Sequence, residues 1–417
     1  MSRIYDNWEK LVGAVVRREK DRRLALFQSF SSSSSIGGVS SRLSFDAAVD
    51  TNVSSRFSFD FNPFVGDVHV PAGDKHMDEA GSSNWDVGFQ PLNEVSSSSS
   101  QKFDPADLSN QNIFFFRNVM AIEYEEIKKA TKNFKPDLLL GEGGFGPVYK
   151  GWIHEHHLTA VKPGSGIAVA VKKLNTGGYQ GRQEWVDEIN YLSQLRHPNL
   201  VKLIGYSFDT DNRIVVYEFM HRGSLDNHLF RRRHQVLPWA TRIKVAVGAA
   251  RALAFLHNLE VPIIHRNIKC SDILLDDDFN TKLSDFGLAR DGPTGDMTHV
   301  STRVMGTYGY AAPEYLATGH LTTRCDVYGF GVVLVELISG LRVIDKNRPH
   351  GEHYLMKWAK PYLGNNGKLS RIMDSRLEGR YPHKAAYEVG KIALQCVSSD
   401  PSLRPAMAEV VAALENL

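Results

Sequence analysis

The chain has 417 residues, 42% of them apolar and 23% charged, with a net charge of +2. That balance fits a soluble protein with a sizeable core and excludes nucleic acid as the main partner, which calls for a strongly basic face. Three cysteines with no repeated spacing, Cys270, Cys325 and Cys396, exclude a disulfide framework and a Cys/His metal site.

Residues 1–120 differ in character from the rest. Serine runs stand at 31–35 and 96–100, with Gly, Asp, Asn and Phe scattered between them and no sustained period. Such a segment buries too little apolar surface to offset its chain entropy, so a mostly disordered tail is expected. Residues 5–27 are the exception. Trp8, Leu11, Val12, Val15 and Val16 share one helical face, and Arg17, Arg18, Lys20, Arg22 and Arg23 follow. The pattern predicts a basic amphipathic helix, suited either to peripheral contact with an anionic membrane or to docking on a protein surface; Glu9, Glu19 and Asp21 dilute its charge. The start Met1-Ser2-Arg3 has no glycine at the second position for N-myristoylation and no signal-peptide core, and the most apolar run, at 331–338, contains Glu336. A cytoplasmic protein is expected, at most peripheral at the plasma membrane.

A linker helix is predicted over 121–133, with Ile127 on its apolar side. From 134 to about 220 strands dominate, interrupted by one helix around 185–195. From 221 onward the segments lengthen into helices near 237–257, 326–339, 355–362, 387–396 and 407–417. Strands first and helices afterwards indicate an α+β fold of two lobes, 134–220 and 221–417, rather than a doubly wound sheet.

In the first lobe Leu140, Gly141, Glu142, Gly143, Gly144, Phe145, Gly146, Pro147 and Val148 place three glycines in GxGxxG spacing. Glycines allow tight turns and close approach of backbone to phosphate. A dinucleotide site would run into a helix here, whereas residues 148–151 read as a second strand, so the loop is a hairpin lid. Lys172 then sits in the apolar strand Val169-Ala170-Val171 and needs an anionic partner, which phosphate and Glu188 from the following helix would supply.

Further along stand His265-Arg266-Asn267-Ile268-Lys269 with Asp272, then Asp285-Phe286-Gly287, then Ala312-Pro313-Glu314. In this order, after the glycine loop and Lys172, they resemble the protein kinases from about residue 134 to the end. The glycine loop together with residues 306–315 (Gly-Thr-Tyr-Gly-Tyr-Ala-Ala-Pro-Glu-Tyr) is similar to plant receptor-like cytoplasmic Ser/Thr kinases, of the Pelle and interleukin-receptor-associated kinase class. The resemblance implies ATP with Mg²⁺ or Mn²⁺ as cofactors, Tyr217 as gatekeeper, and Glu218 to Met220 as the hinge for adenine. It implies an adenine pocket that includes Val148, Ala170 and Leu274. It also implies a monomer that signals downstream of surface receptors, in defence or growth, with protein substrates or receptor kinases as partners.

One position breaks the pattern. The family carries an Asp to accept the substrate hydroxyl proton and an Asn five residues later to hold a metal; here Asn267 and Asp272 are exchanged. Lys269, which would touch the γ-phosphate, and Asp285, which would hold the metal, are kept. An amide has no appreciable proton affinity, and loss of a general base costs about 10²–10⁴ in rate. Asp272 offers a hard oxygen ligand to a divalent cation. The exchange predicts nucleotide binding with weakened phosphoryl transfer, or alternatively an inactive pseudokinase that serves as an ATP-binding scaffold or decoy.

Ser301 and Thr302 are the positions where the resemblance places regulatory phosphates, with Arg266 available to pair with them. Thr307 resembles the residue that seats the substrate hydroxyl. Glu314 and Arg404 are expected to form a supporting ion pair, Asp326 to hold the backbone at His265 and Arg266, and Leu192, His265 and Phe286 to stack between the lobes.

Overall fold

The computed structural model describes residues 119–143, 146–174, 179–208, 212–231 and 235–417. The helix expected over 5–27, Gly144, Phe145 and most of the 1–120 tail lie outside the described residues.

Strand β1 (Met120–Ala121) and helix α1 (Tyr124–Ala130) lead into β2 (Leu139–Gly143), β3 (Gly146–Ile153) and β4 (Ile167–Lys173). Helix α2 (Tyr179–Gln194), β5 (Leu203–Phe208) and β6 (Arg213–Glu218) complete the first lobe. The six strands form one sheet in the order β1-β5-β6-β4-β3-β2. All neighbours are antiparallel except β1, which runs parallel to β5 with Met120 opposite Gly205 and Ala121 opposite Tyr206.

The alternation of side chains along a strand decides what each face does. Val169 and Val171 of β4, with Ile214 and Val216 of β6, pack on one face under Ile127 and Ala130 of α1. Ala170, Val215 and Tyr217 point to the other face, where they meet the core that contains Trp185, Ile189 and Leu192 of α2. Lys172 is two residues from Ala170 and therefore shares that second face, directly opposite Val215 in register.

The linker helix is shorter than expected. Ala121 is in a strand, and α1 stops at Ala130 because Lys132, Asn133 and Phe134 take positive φ angles of 50°, 58° and 53°. Likewise α2 starts at Tyr179, ahead of the apolar stripe by which it was predicted.

The second lobe starts with β7 (Gly223–Ser224), α3 (Leu225–Phe230) and α4 (Trp239–His257), then β8 (Ile263–Ile264), β9 (Ile273–Leu275) and β10 (Thr281–Leu283). Strands β11 (Arg290–Asp291) and β12 (Val300–Ser301), helix α5 (Pro313–Thr318) and β13 (His320–Leu321) follow. Helices α6 (Thr323–Ser339), α7 (Leu355–Leu363), α8 (His383–Cys396) and α9 (Met407–Glu415) complete it. Helix α6 is buried along nearly its whole length, so it reads as apolar on every side and forms the axis of the lobe. The short hairpin β9–β10 and the turn between β8 and β9 present the polar residues of the cleft on this rigid base.

Candidate active site

The site is built where the inner face of β4 and the stripe of α2 meet the turns after β8 and β10. Lys172 Nζ lies 2.9 Å from Glu188 Oε2 and 2.8 Å from Asp285 Oδ1, so one ammonium joins a strand, a helix and a loop. Burial alone would favour a neutral amine, but the Asp285 and Glu188 charges outweigh it and hold the Lys172 pKa above its ordinary value. Burial also drives the Glu188 carboxyl up. Against the same burial, Lys172 and Lys269 hold Asp285 below the usual carboxylate range. Glu188 Oε1 and the Tyr217 hydroxyl are both buried without a hydrogen-bond partner of good geometry among the described residues. Burial and then the Glu188 charge push the Tyr217 phenol well up, so it is neutral at any ordinary pH.

Asp285 has a φ of 65° and Arg266 a φ of 71°, left-handed conformations that cost a non-glycine residue about 1–3 kcal/mol each. The surroundings hold both. Asp326 accepts from the backbone N–H groups of His265 (2.8 Å) and Arg266 (2.7 Å). His257 Nε2, from α4, lies 3.0 Å from the same carboxylate. The His265 ring meets Phe286 edge-on at 5.0 Å, and its Nε2 donates to the Ser284 carbonyl at 2.9 Å. Burial lowers the His265 pKa, so the ring is a neutral spacer. Leu192 and Phe286 belong to one core cluster.

In the turn after β8, Asn267 is only 4% exposed. Its Oδ1 accepts from the Thr307 hydroxyl at 2.7 Å, and its Nδ2 stands 3.4 Å from Asp272 Oδ2. Lys269 Nζ sits 3.1 Å from Asp272 and 3.9 Å from Asp285, bridging the two carboxylates. Burial pushes Asp272 up to about 7, with Lys269 opposing and Asp285 adding to the rise. A pair of buried carboxylates that a lone ammonium incompletely neutralises is chemically suited to a hard divalent cation.

Around this centre, Val148 pairs with Lys172 across β3 and β4, and Ala170 with Tyr217 across β4 and β6. Met220 is buried, whereas the Glu218 side chain turns away to accept from the Lys202 N–H and from Lys282. Leu274, on β9, packs against the main core. Leu140, Gly141 and Glu142 are exposed on β2, and Gly143 and Gly146 pair across the hairpin. Strands β2 and β3 therefore pair antiparallel on either side of the glycine segment, where a dinucleotide site would enter a helix.

Ser301 is exposed on β12, away from these contacts, while the Thr302 hydroxyl lies 3.1 Å from Arg266 Nη2. Arg404 is wholly buried and makes a two-pronged bond to Glu314, both contacts 2.6 Å.

Three supports were not anticipated from the sequence. The Tyr315 hydroxyl accepts from Arg266 Nε at 2.9 Å and from the Met305 N–H at 2.9 Å, tying the segment after β12 to the turn. Asp187 of α2 pairs with Arg290. Glu336 collects bonds from Cys270 Sγ (3.0 Å), Tyr310 (2.7 Å) and the Val343 N–H (2.8 Å). Each support draws on residues far apart in the chain, so no local spacing signals them.

Comparison with known proteins agrees with this geometry. A profile of the protein tyrosine and serine/threonine kinase family matches residues 135–414. The chain is 59% identical over 323 residues to the probable serine/threonine-protein kinase PBL3 of Arabidopsis thaliana, spanning 78% of this chain and 76% of that one. It is 56% identical over 324 residues to receptor-like cytoplasmic kinase 176 of Oryza sativa subsp. japonica, spanning 77% and 82%. The two-lobed α+β fold, the polar cleft and these likenesses place the chain in the protein kinase family, among the receptor-like cytoplasmic serine/threonine kinases.

Proposed function

We propose that this chain binds ATP with Mg²⁺ or Mn²⁺ and acts in intracellular signalling downstream of surface receptors, in defence or growth, with phosphoryl transfer to protein Ser/Thr weakened at Asn267. The single observation that carries the reading is the asymmetry of the cleft. Glu188, Lys172, Asp285 and Lys269 form a chain of ion pairs in that order, while the hydroxyl of Thr307 meets an amide oxygen at Asn267 and not a carboxylate.

In this reading Asp285 and Asp272 hold the metal, Lys172 and Lys269 neutralise phosphate oxygens, and Glu188 fixes the Lys172 ammonium. Tyr217, Val148, Ala170, Met220 and Leu274 wall the adenine pocket, with the backbone of Glu218 to Met220 as its hinge. ATP, when bound, supplies the transferable phosphoryl group. Asn267 and Thr307 orient the acceptor hydroxyl, but neither takes its proton, and that loss is worth about 10²–10⁴ in rate. Phosphates on Ser301 or Thr302 would order the segment through Arg266. Among the described residues no helix is long and apolar enough to cross a membrane, and membrane contact rests on the proposed basic helix at 5–27.

The second reading is an ATP-binding pseudokinase that works as a scaffold or decoy in a receptor complex. It draws on the same amide. Radiolabelled phosphate transfer to casein and to self, for the wild type and for the Asn267→Asp/Asp272→Asn double variant, separates the two. Wild-type turnover within tenfold of the double variant refutes impaired catalysis. Complete absence of transfer in the wild type, with ATP-dependent thermal stabilisation retained, establishes the scaffold reading.

A further inference from the structure

Strands β12 and β13 pair antiparallel, with Val300 opposite Leu321 and Ser301 opposite His320. The Thr302 N–H extends the pairing to the Gly319 carbonyl at 3.1 Å. Successive side chains of a strand leave on opposite faces, so Val300, Thr302 and Leu321 belong to one side and His299, Ser301 and His320 to the other. The packing follows that division. Val300 and Leu321 lie in the apolar cluster with Ile264, Ala312 and Tyr315, and the Thr302 hydroxyl meets Arg266. Ser301 and His320 are exposed on the outer side. The two neighbouring hydroxyls therefore point to different surroundings.

The outer side carries a pair of imidazoles. The rings of His299 and His320 stack with centroids 3.6 Å apart and planes 23° from parallel. Thr298 Oγ1 lies 2.9 Å from His299 Nδ1 and orients that ring. The His320 ring has no hydrogen-bond partner among the described residues, although its backbone N–H donates to Thr318 Oγ1 at 3.1 Å. None of these groups touches the nucleotide cleft. Imidazole gains its proton in the pH range in which a phosphate monoester loses its second, so the two side by side favour each other's charged forms. Arg303, two positions after Ser301, is the competing cation, and its guanidinium lies 3.7 Å from Met305 Sδ.

We propose that His320, with the His299 ring stacked on it, is the receiving site for a phosphate ester on Ser301, while Arg266 receives one on Thr302. The assignment rests on the proposed regulation of this segment by phosphate and gives each hydroxyl its own receiver. Residues directly opposite in an antiparallel pair have Cβ atoms about 4.5–5.5 Å apart, a gap that a phosphate on Ser301 crosses to reach the His320 ring. Strands of two residues hold together weakly by themselves, so a charged bond across β12 and β13 adds a clasp where the backbone offers little. Because β13 directly follows α5, that clasp fixes the segment to the end of α5, whereas a phosphate on Thr302 fixes it to the turn after β8.

The test uses the full chain with phosphoserine placed at position 301, or phosphothreonine at 302, during synthesis, so it requires no phosphoryl transfer by this chain. The phosphorus NMR signal is titrated with pH, and hydrogen exchange is followed in peptides covering 298–305 and 318–323. The Ser301 phosphate should titrate about 0.5 pH units or more below free phosphoserine. His320→Asn, a change at an exposed position, should abolish that shift, and His299→Asn should reduce it. Exchange in both peptides should then rise several-fold over the phosphorylated parent. The Thr302 phosphate should ignore His320→Asn and respond to Arg266→Gln. A Ser301 phosphate that titrates like free phosphoserine overturns the proposal. So does a shift that survives His320→Asn and disappears in Arg266→Gln or Arg303→Gln. Those results leave the nucleotide reading standing, since casein transfer decides it separately; unchanged exchange with either phosphate would overturn phosphate regulation of the segment together with this assignment.

Discussion

Glu336 sets the pH dependence of stability in a way that can be isolated. It is fully buried in α6 and has no ion-pair partner among the described residues, only donors from Cys270, Tyr310 and the Val343 N–H. Burial pushes its pKa from 4.5 to about 7. A pKa that is higher folded than unfolded means that the folded state binds the proton more tightly. The stabilisation is therefore full below pH 4.5 and disappears as pH rises through about 7. The two values lie about two and a half pH units apart, worth about 3 kcal/mol in all, of which about 2.5 kcal/mol is lost between about pH 5 and pH 8.

Glu336→Gln removes this titration while keeping shape. The amide oxygen accepts from Val343 N–H, and the amide nitrogen donates to the Tyr310 oxygen. Thermal unfolding of wild type and variant from about pH 5 to pH 8, taken as the difference in Tm at each pH, cancels the titration of every other group. The variant gains on wild type by about 5–10 °C across that range. A difference in Tm that stays flat with pH refutes the reasoning, since it would mean that Glu336 is ionised throughout.

Lys172→Met leaves Glu188 and Asp285 facing each other without their ammonium, and removal of one partner from a buried set costs about 3–5 kcal/mol; Tm without nucleotide should fall, and ATP-dependent stabilisation should vanish. Arg404→Ala strips the two-pronged bond from Glu314 and should lower the urea midpoint by a similar free energy, because Arg404 is wholly buried. Asp326→Asn keeps one acceptor for the His265 and Arg266 N–H groups and loses the other. It should cost about 1–3 kcal/mol, seen as a lower Tm with unchanged secondary-structure content by circular dichroism.

What the sequence disclosed was whatever repeats at short range. The alternation in Val169-Ala170-Val171-Lys172 identified β4 and put Lys172 on the inner face, because one face packs under α1 and the other meets α2. The glycine spacing, followed by a strand, distinguished a hairpin from a helix turn. Long α4 and α6 were visible from their apolar content. Short elements were not: α3 and α5 have six residues each, too few for a period to emerge from local composition. Strand β1 was hidden for a different reason, since a two-residue parallel edge is defined by its partner Gly205 and not by its own residues. The anchoring of Arg266 by Tyr315, 49 positions away, is likewise a product of the tertiary fold.

The exchange at positions 267 and 272 relocates one unit of charge along a single turn without changing the total. Lys172, Lys269, Glu188, Asp272 and Asp285 sum to −1 when all are ionised, and the Asn267→Asp/Asp272→Asn double variant leaves that sum at −1. The double variant is thus isoelectric with the natural chain, and each single change is not: Asn267→Asp makes the cleft −2, and Asp272→Asn makes it 0. Ionic-strength dependence of nucleotide association should follow that order, with wild type and double variant coinciding and the two single variants diverging on either side. The quantity of charge and its address in the turn can therefore be varied separately in one small set of four proteins.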